Sequence, residues 1–266
     1  MPSAISLITL LTDFGEQDYF VASMKGVMLN INPQVRIVDL SHRVAPYHIE
    51  DAGYLLKSSC HYFPVGTIHV AVVDPGVGSA RRPLLVSTSR YFFLAPDNGL
   101  LSAVLKDERS TEIRQIENKQ YRLDSEGATF DGRDIFAPAA AWLTRGQAPG
   151  SFGRLIHDPV TFPEQEPAWE GPALVGRIVY VDHFGNAISN ITSPHLSEVR
   201  KYTKRTSVTI HIAGATIDDL VTCYADGKTD APRAVVNSNG HVEIFLKEGS
   251  AAAVLNVGKG DRIEIH

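Results

Sequence analysis

At 266 residues, with 25 basic and 30 acidic side chains, the chain can hold one large domain or two ordinary ones, and it carries a formal charge of −5. No Lys/Arg run or basic stripe suits a phosphate backbone, so nucleic acid is not an expected partner. Cys60 and Cys223 are too few for a disulfide framework and lack C-x-x-C spacing, so both are expected as reduced, buried thiols.

The opening M-P-S-A-I-S-L-I-T-L-L-T-D has no basic leader, and its apolar run breaks at Thr12 and Asp13. Neither a signal peptide nor a membrane span fits, and a cytoplasmic protein is expected. From Ile5 to about Trp142 short apolar runs alternate with longer amphipathic ones. That is the pattern of an α/β domain in which helices cover both faces of a doubly wound, mostly parallel sheet. Strands are predicted at Ile5–Leu11, Val35–Leu40, Thr67–Val73, Pro83–Thr88 and Tyr91–Ala95, and helices at Tyr19–Ile31, stopped by Asn32-Pro33, and at Ile49–Phe63.

Pro159, Pro163, Pro167 and Pro172, interspersed with Glu164, Glu166 and Glu170, resist regular structure and suit a linker. A first domain over 1–160 and a smaller all-β barrel or sandwich over 172–266 are therefore expected. The second would be built from half-buried strands at 177–181, 208–212, 242–246 and 262–265.

In an open α/β sheet ligands bind beyond the carboxyl ends of the strands. Three such positions pair a carboxylate with a glycine: Thr12–Asp18 (T-D-F-G-E-Q-D), Asp74–Arg82 (D-P-G-V-G-S-A-R-R) and Ala95–Leu101 (A-P-D-N-G-L-L). Each could simply close a turn, the carboxylate accepting a backbone N–H two residues on, and this is the expectation for Asp97. For Asp74 an arginine from Arg81-Arg82 can fold back onto the carboxylate and hold it ionised and oriented. In T-F-D-G-R-D-I-F-A-P (Thr129–Pro138), Asp134 could cap the helix that follows while Arg133 pairs locally. In V-D-H-F-G-N (Val181–Asn186) a hairpin turn accounts for Gly185-Asn186 but not for the acid and the ring beside them.

Several standard chemistries are missing: there is no G-x-S-x-G, P-loop or H-E-x-x-H, and Gly76-Val77-Gly78 lacks the third glycine of a dinucleotide fingerprint. Ten scattered histidines, with His69 and His211 inside strand patterns, read as packed or surface residues rather than metal ligands.

Taken in order, L-T-D-F-G, Pro46-Tyr47-x-x-Glu50, V-V-D-P-G-V-G-S-x-R-R, A-P-D-N-G-L-L, T-F-D-G-R-D-I-F-A-P, D-H-F-G-N and N-S-N-G resemble the S-adenosyl-L-methionine hydroxide adenosyltransferase family across essentially the whole chain. These are adenosine-forming hydrolases related to the bacterial fluorinase and chlorinase. The resemblance implies an α/β domain followed by a β-barrel, and a homotrimer with active sites at subunit interfaces. It implies a small-molecule substrate, S-adenosyl-L-methionine, with no cofactor and no metal. Asp13 would hold the ribose diol and Tyr47 would line the sugar. Phe184, Asn186 and Tyr224 would frame the adenine, and Asp182 and Ser238 would hold the amino acid group. Catalysis would fall to Asp74, Arg81 and residue 131.

At that last position the family's usual T-F-H-G-R-D is replaced by T-F-D-G-R-D, so Asp131 stands where histidine is expected. A carboxylate can take a proton from water but cannot donate a hydrogen bond as imidazole can. Asp131 reads as a working base, as a variant of altered activity, or as a substitution that slows turnover. Hydrolysis is the expected reaction. A halide-dependent 5′-halo-5′-deoxyadenosine synthase and a non-catalytic binding protein remain alternatives, although a carboxylate beside the nucleophile would repel a halide.

Overall fold

The computed structural model describes residues 6–107, 112–163, 165–218 and 220–266; Ile5 of the first expected strand and Glu164 of the expected linker fall outside them. Two compact units form, Met1–Phe162 and Pro163–His266. Among the described residues, no helix is long and apolar enough to cross a membrane.

The first unit contains β1 (Leu7–Thr12), α1 (Phe20–Ile31), β2 (Arg36–Ser41), α2 (Ile49–Cys60), β3 (Ile68–Val72), β4 (Pro83–Ser87), β5 (Phe92–Pro96), α3 (Ser102–Asp107), β6 (Glu112–Gln115) and α4 (Ala137–Thr144). The strands make one sheet in the order β2-β1-β3-β5-β4-β6. Its first four are parallel, β4 runs antiparallel to them, and the edge strand β6, antiparallel to β4, runs in the same direction as the first four. All six residues of β1 are buried, as its unbroken apolar run requires of a strand covered on both faces. One face packs Ile8, Leu10 and Val70 against Met24 and Met28 of α1 and Ala140 of α4. The other packs Leu11, Ala71 and Phe93 against Leu56 of α2 and Val104 of α3.

Helix α2 stops at Cys60, short of the expected Phe63, because Pro64 disfavours helical geometry in the residue before it. Since β1, β3 and β5 are parallel neighbours, their carboxyl ends bring the turns at Asp13, Asp74 and Asp97 to one edge of the sheet.

Within this core His69 of β3 is fully buried, with Nδ1 2.7 Å from Thr9 Oγ1 on β1 and its ring stacked on Phe93 at 5.1 Å. Its Nε2 is buried with no hydrogen-bond partner among the described residues. Burial pushes the imidazole down to about 4, so it packs as a neutral ring.

The second unit contains β7 (Ala168–Glu170), β8 (Ala173–Val181), β9 (Ala187–Thr192), α5 (Ser193–Thr203), β10 (Thr209–Ile212), β11 (Ala215–Asp218), β12 (Leu220–Val221), β13 (Arg233–Val236), β14 (His241–Phe245), α6 (Ala251–Leu255) and β15 (Arg262–Ile265). They form a barrel-like sheet in the order β11-β10-β15-β8-β9-β14-β13-β12, with β7 paired to β8. Its core is aliphatic, built on Ile178, Ile191, Val242, Ile244 and Ile263.

Two helices accompany this sheet, where an all-β unit was expected. Helix α5 begins with a reciprocal cap between Thr192 and His195 and a proline in its first turn, signals that no apolar periodicity announces. Cys60 is buried as expected, but Cys223 is exposed, because it precedes a short surface turn at Tyr224–Asp226 instead of entering a strand.

Candidate active site

The turn after β3 uses its carboxylate twice. Asp74 Oδ1 accepts the Gly76 N–H at 3.2 Å, which shapes the turn, and Oδ2 meets the guanidinium of Arg81. Gly78 has φ +80°, and a Cβ there would lie 2.9 Å from the Ala128 carbonyl, so the loop closes only with glycine. Closure lays Arg81 beneath the turn, and the same nitrogen, Nη2, also meets Asp131 Oδ2.

All three side chains are largely buried, with exposures of 4%, 10% and 14% for Asp74, Arg81 and Asp131. Burial works against the charge on Arg81. The hydrogen bonds and charges of Asp74 and Asp131 outweigh it and hold the guanidinium above its ordinary pKa. Arg81 Nε is buried with no hydrogen-bond partner among the described residues, an unsatisfied donor inside the cluster.

Asp131 is aimed by a π-helical turn, Gly132–Phe136, that runs directly into α4. Such turns recur at functional sites. Phe130 packs edge-on against Phe14 at 5.8 Å and Phe20 at 5.2 Å. A Cβ on Gly132 would lie 3.1 to 3.2 Å from Phe130, Met24 and Phe14, so this apolar box closes over a glycine.

Arg133 pairs locally as expected, but Asp134 is no cap. Its carboxylate is taken by Arg133, Nε at 2.6 Å and Nη2 at 2.9 Å. Asp97 also departs from expectation. It accepts Arg82 Nε at 2.6 Å and the Val160 N–H at 2.8 Å, while Asn98 makes the turn bond to Leu100. The adjacent arginines therefore diverge, Arg81 toward Asp74 and Asp131, Arg82 toward Asp97 and Asp158.

Arg122 is a cation that no motif flagged. Its Nη2 donates to the Ile116 carbonyl and its Nε is buried without a partner among the described residues. The next residue, Leu123, donates its N–H to the Asp134 carbonyl at 2.8 Å, tying this segment to the π-helical turn. Burial pushes the Arg122 pKa down, and the charge of Asp131 opposes that push.

In the turn after neighbouring β1, Asp13 Oδ2 accepts the N–H of Tyr47 at 2.9 Å. Tyr47 has φ +70° and is 70% exposed, a strained and open placement. Beneath them a string of polar contacts runs from Thr12 to His42 Nδ1 at 2.8 Å, from His42 Nε2 to Asp39 at 3.0 Å, and from Asp39 to Lys25 at 2.6 Å.

In the second unit Asp182, Phe184 and Asn186 share the turn between β8 and β9. Asp182 Oδ1 accepts the N–H groups of Phe184 and Asn186, both at 2.9 Å, and Oδ2 accepts the Asn186 amide at 3.0 Å. Phe184 is left 74% exposed at the tip. Gly185 has φ +81°, and a Cβ there would collide with Ser250. Gly185→Ala is expected to destabilise the protein by about 2 to 4 kcal/mol, combining backbone strain with the clash, as read from chemical denaturation.

Tyr224 and Ser238 are both exposed, and the Tyr224 ring stands against Phe245 at the end of β14 that pairs with Ala187 and Ile188. Ser238 lies in the turn entering β14, whereas Asn186 precedes β9 residues that pair with the far end of β14. Among the described residues no group of three or more His, Cys, Asp or Glu side chains is placed to hold a metal ion.

The chain matches the model of the SAM hydroxide adenosyltransferase N-terminal domain over residues 8–153 and that of the C-terminal domain over 176–264. It is 32% identical to the (R)-S-adenosyl-L-methionine hydrolase of Methanocaldococcus jannaschii, over 98% of this chain and 96% of that protein. The enzyme of the same name from Thermus thermophilus is also 32% identical, over 95% of this chain and 96% of its own. A fluorinase from an Actinoplanes species is 27% identical over 96% of this chain and 95% of its own. The crystal structure of an uncharacterized conserved protein from Thermotoga maritima superposes with a TM-score of 0.89 at 32% identity, covering 97% of this chain and 99% of that one. Matched in both units and along nearly its whole length, the chain belongs to the SAM hydroxide adenosyltransferase family.

Proposed function

We propose that the protein hydrolyses S-adenosyl-L-methionine to adenosine and L-methionine by attack of water on the ribose 5′ carbon. The observation that carries this reading is the buried clamp in which one guanidinium nitrogen holds both Asp74 and Asp131. A new C5′–O bond forms as the C5′–S bond breaks, and the sulfonium leaves as a neutral thioether with the bonding pair. No acid is needed at the leaving group, and the attacking water gives its proton to an aspartate. The clamp positions that base, and no cofactor takes part.

Asp13 receives the ribose hydroxyls and Tyr47 lines the sugar. Phe184, Asn186 and Tyr224 frame the adenine and Asp182 receives the amino acid group, to which Ser238, at the opposite end of β14, is brought by a neighbouring subunit of the proposed trimer. The hydrolases at 31 to 32% identity are named for the (R) sulfonium epimer, which is therefore the preferred substrate in this reading. The proposal includes a homotrimer that covers the exposed rings of Tyr47 and Phe184. It also includes a cytoplasmic location, in keeping with a charged substrate that does not cross membranes unaided.

Incubation with each epimer in water labelled with heavy oxygen is the test. The label is expected in the 5′-hydroxyl of adenosine, with the (R) epimer consumed faster. Asp74→Asn is expected to lower turnover about 100-fold, and Asp131→His to raise it. Binding without methionine release would overturn the reading, as would 5′-chloro-5′-deoxyadenosine formed in chloride.

A further inference from the structure

The middle of β14 carries a carboxylate where a sheet interior calls for an aliphatic side chain. Glu243 is 3% exposed, paired in register with Val235 on one side and Ile188 on the other, between Val242 and Ile244. Burying a carboxylate is costly unless each oxygen is satisfied. Here each has a donor: Oε1 accepts the Tyr224 hydroxyl at 2.8 Å and Oε2 accepts the Asn237 amide at 3.0 Å.

Both partners are themselves fixed. Asn237 Oδ1 accepts the N–H groups of Asn239 and His241, each at 3.0 Å, so its amide cannot flip without losing both bonds. Glu243 is thus tied rigidly to the turn that carries Ser238. On the other side the Tyr224 ring stands edge-on to Phe245 at 5.0 Å, and Phe245 shares the face of β14 with Glu243. Gly227 allows that approach, since a Cβ there would lie 2.5 Å from the Phe245 ring. The Tyr224 residue nonetheless remains 50% exposed. A buried charge thus holds an open aromatic surface and an open hydroxyl-bearing turn in one fixed relation.

We propose that Glu243 is a positioning residue that sets Tyr224 and the Ser238 turn in their ligand-binding geometry before the nucleoside arrives, an inference that rests on the role given to those two residues above. Preorganisation of this kind shows in affinity rather than in the chemical step.

Glu243→Met keeps much of the volume and removes both acceptors. Glu243→Gln offers its carbonyl oxygen to Asn237 and its amide to the Tyr224 oxygen, so it conserves both links. The Met variant is expected to raise the adenosine Kd and the KM for (R)-S-adenosyl-L-methionine about tenfold, the scale of losing hydrogen bonds to a charged group, with kcat within about twofold. The Gln variant is expected to stay within about twofold of the parent in all three. Combining Glu243→Met with Tyr224→Phe is expected to cost less than the two single changes summed, because both break one link.

Unchanged affinity in a folded Met variant would overturn the inference, as would a Gln variant as impaired as Met. If the Met variant does not fold, Tyr224→Phe decides: a weakened Kd at unchanged melting temperature supports the inference, and an unchanged Kd overturns it. A parent that binds no adenosine overturns the role given to Tyr224 and Ser238 and the inference with it. A parent that binds, with variants that bind equally well, overturns the inference alone.

Discussion

Arg81→Met is expected to lower turnover about a thousand-fold and to destabilise the fold by about 3 to 5 kcal/mol, the two scales set by loss of a preorganised cation and by breaking a buried ion pair from one side. Both effects have one origin. Nη2 of Arg81 lies between Asp74 and Asp131, so its removal leaves two buried carboxylates facing each other with Arg122 as the remaining nearby cation. The pair would then repel, and the turn after β3 would lose the tie that closes it. Adding Asp131→Asn to Arg81→Met is expected to recover most of the stability, because one of the opposed charges is gone, and to recover little activity. Melting curves beside initial rates separate the two. Equal recovery of both would mean that Arg81 serves only to hold the loop shut.

Acidification is expected to destabilise the protein by about 3 kcal/mol between roughly pH 6.5 and pH 4 through His69 alone, at 1.36 kcal/mol for each pH unit between the unfolded and folded values. The unfolded chain protonates this histidine near pH 6.5, while the folded chain resists until about 4, because the ring is packed among Thr9, Tyr91 and Phe93. Across that window the unfolded state binds the extra proton, so stability rises with pH and is lost on the way down. Above the window His69 is neutral in both states and contributes no slope. His69→Phe is expected to remove this component at a cost of about 1 kcal/mol from the stranded Thr9 hydroxyl. Denaturant titrations at pH 4.5 and 7.5 measure it. A slope unchanged in His69→Phe would assign the acid sensitivity to other groups.

What the sequence disclosed and what it hid divide along physical lines. The β1 strand and helix α1 were legible because burial on two faces and on one stripe leave different periods in the chain. That an arginine folds back onto Asp74 was legible in the short glycine turn, but spacing alone left Arg81 and Arg82 open, and the family resemblance pointed to Arg81. The roles of Asp97 and Asp134 were misread, since a local turn explains an acid equally well and only the fold reveals Arg82 or Arg133 as the competing partner. Arg122 and Glu243 were invisible, because each owes its significance to contacts with other segments. Helix α5 was hidden by its first turn, Ser193-Pro194-His195, which reads as loop until Thr192 is seen to cap it.

The π-helical turn at Gly132–Phe136 makes the site sensitive to chain length as well as to side chains. A π turn is an α-helix carrying one residue too many. Deleting any residue between 132 and 136 would let the segment relax into the regular helix that continues as α4, turning everything before it by about 100° about the axis. Asp131 would then point away from Arg81 with every site residue still present in the sequence. Among the chain's relatives, a length change in this segment is thus a stronger sign of lost or altered chemistry than a substitution at residue 131 itself.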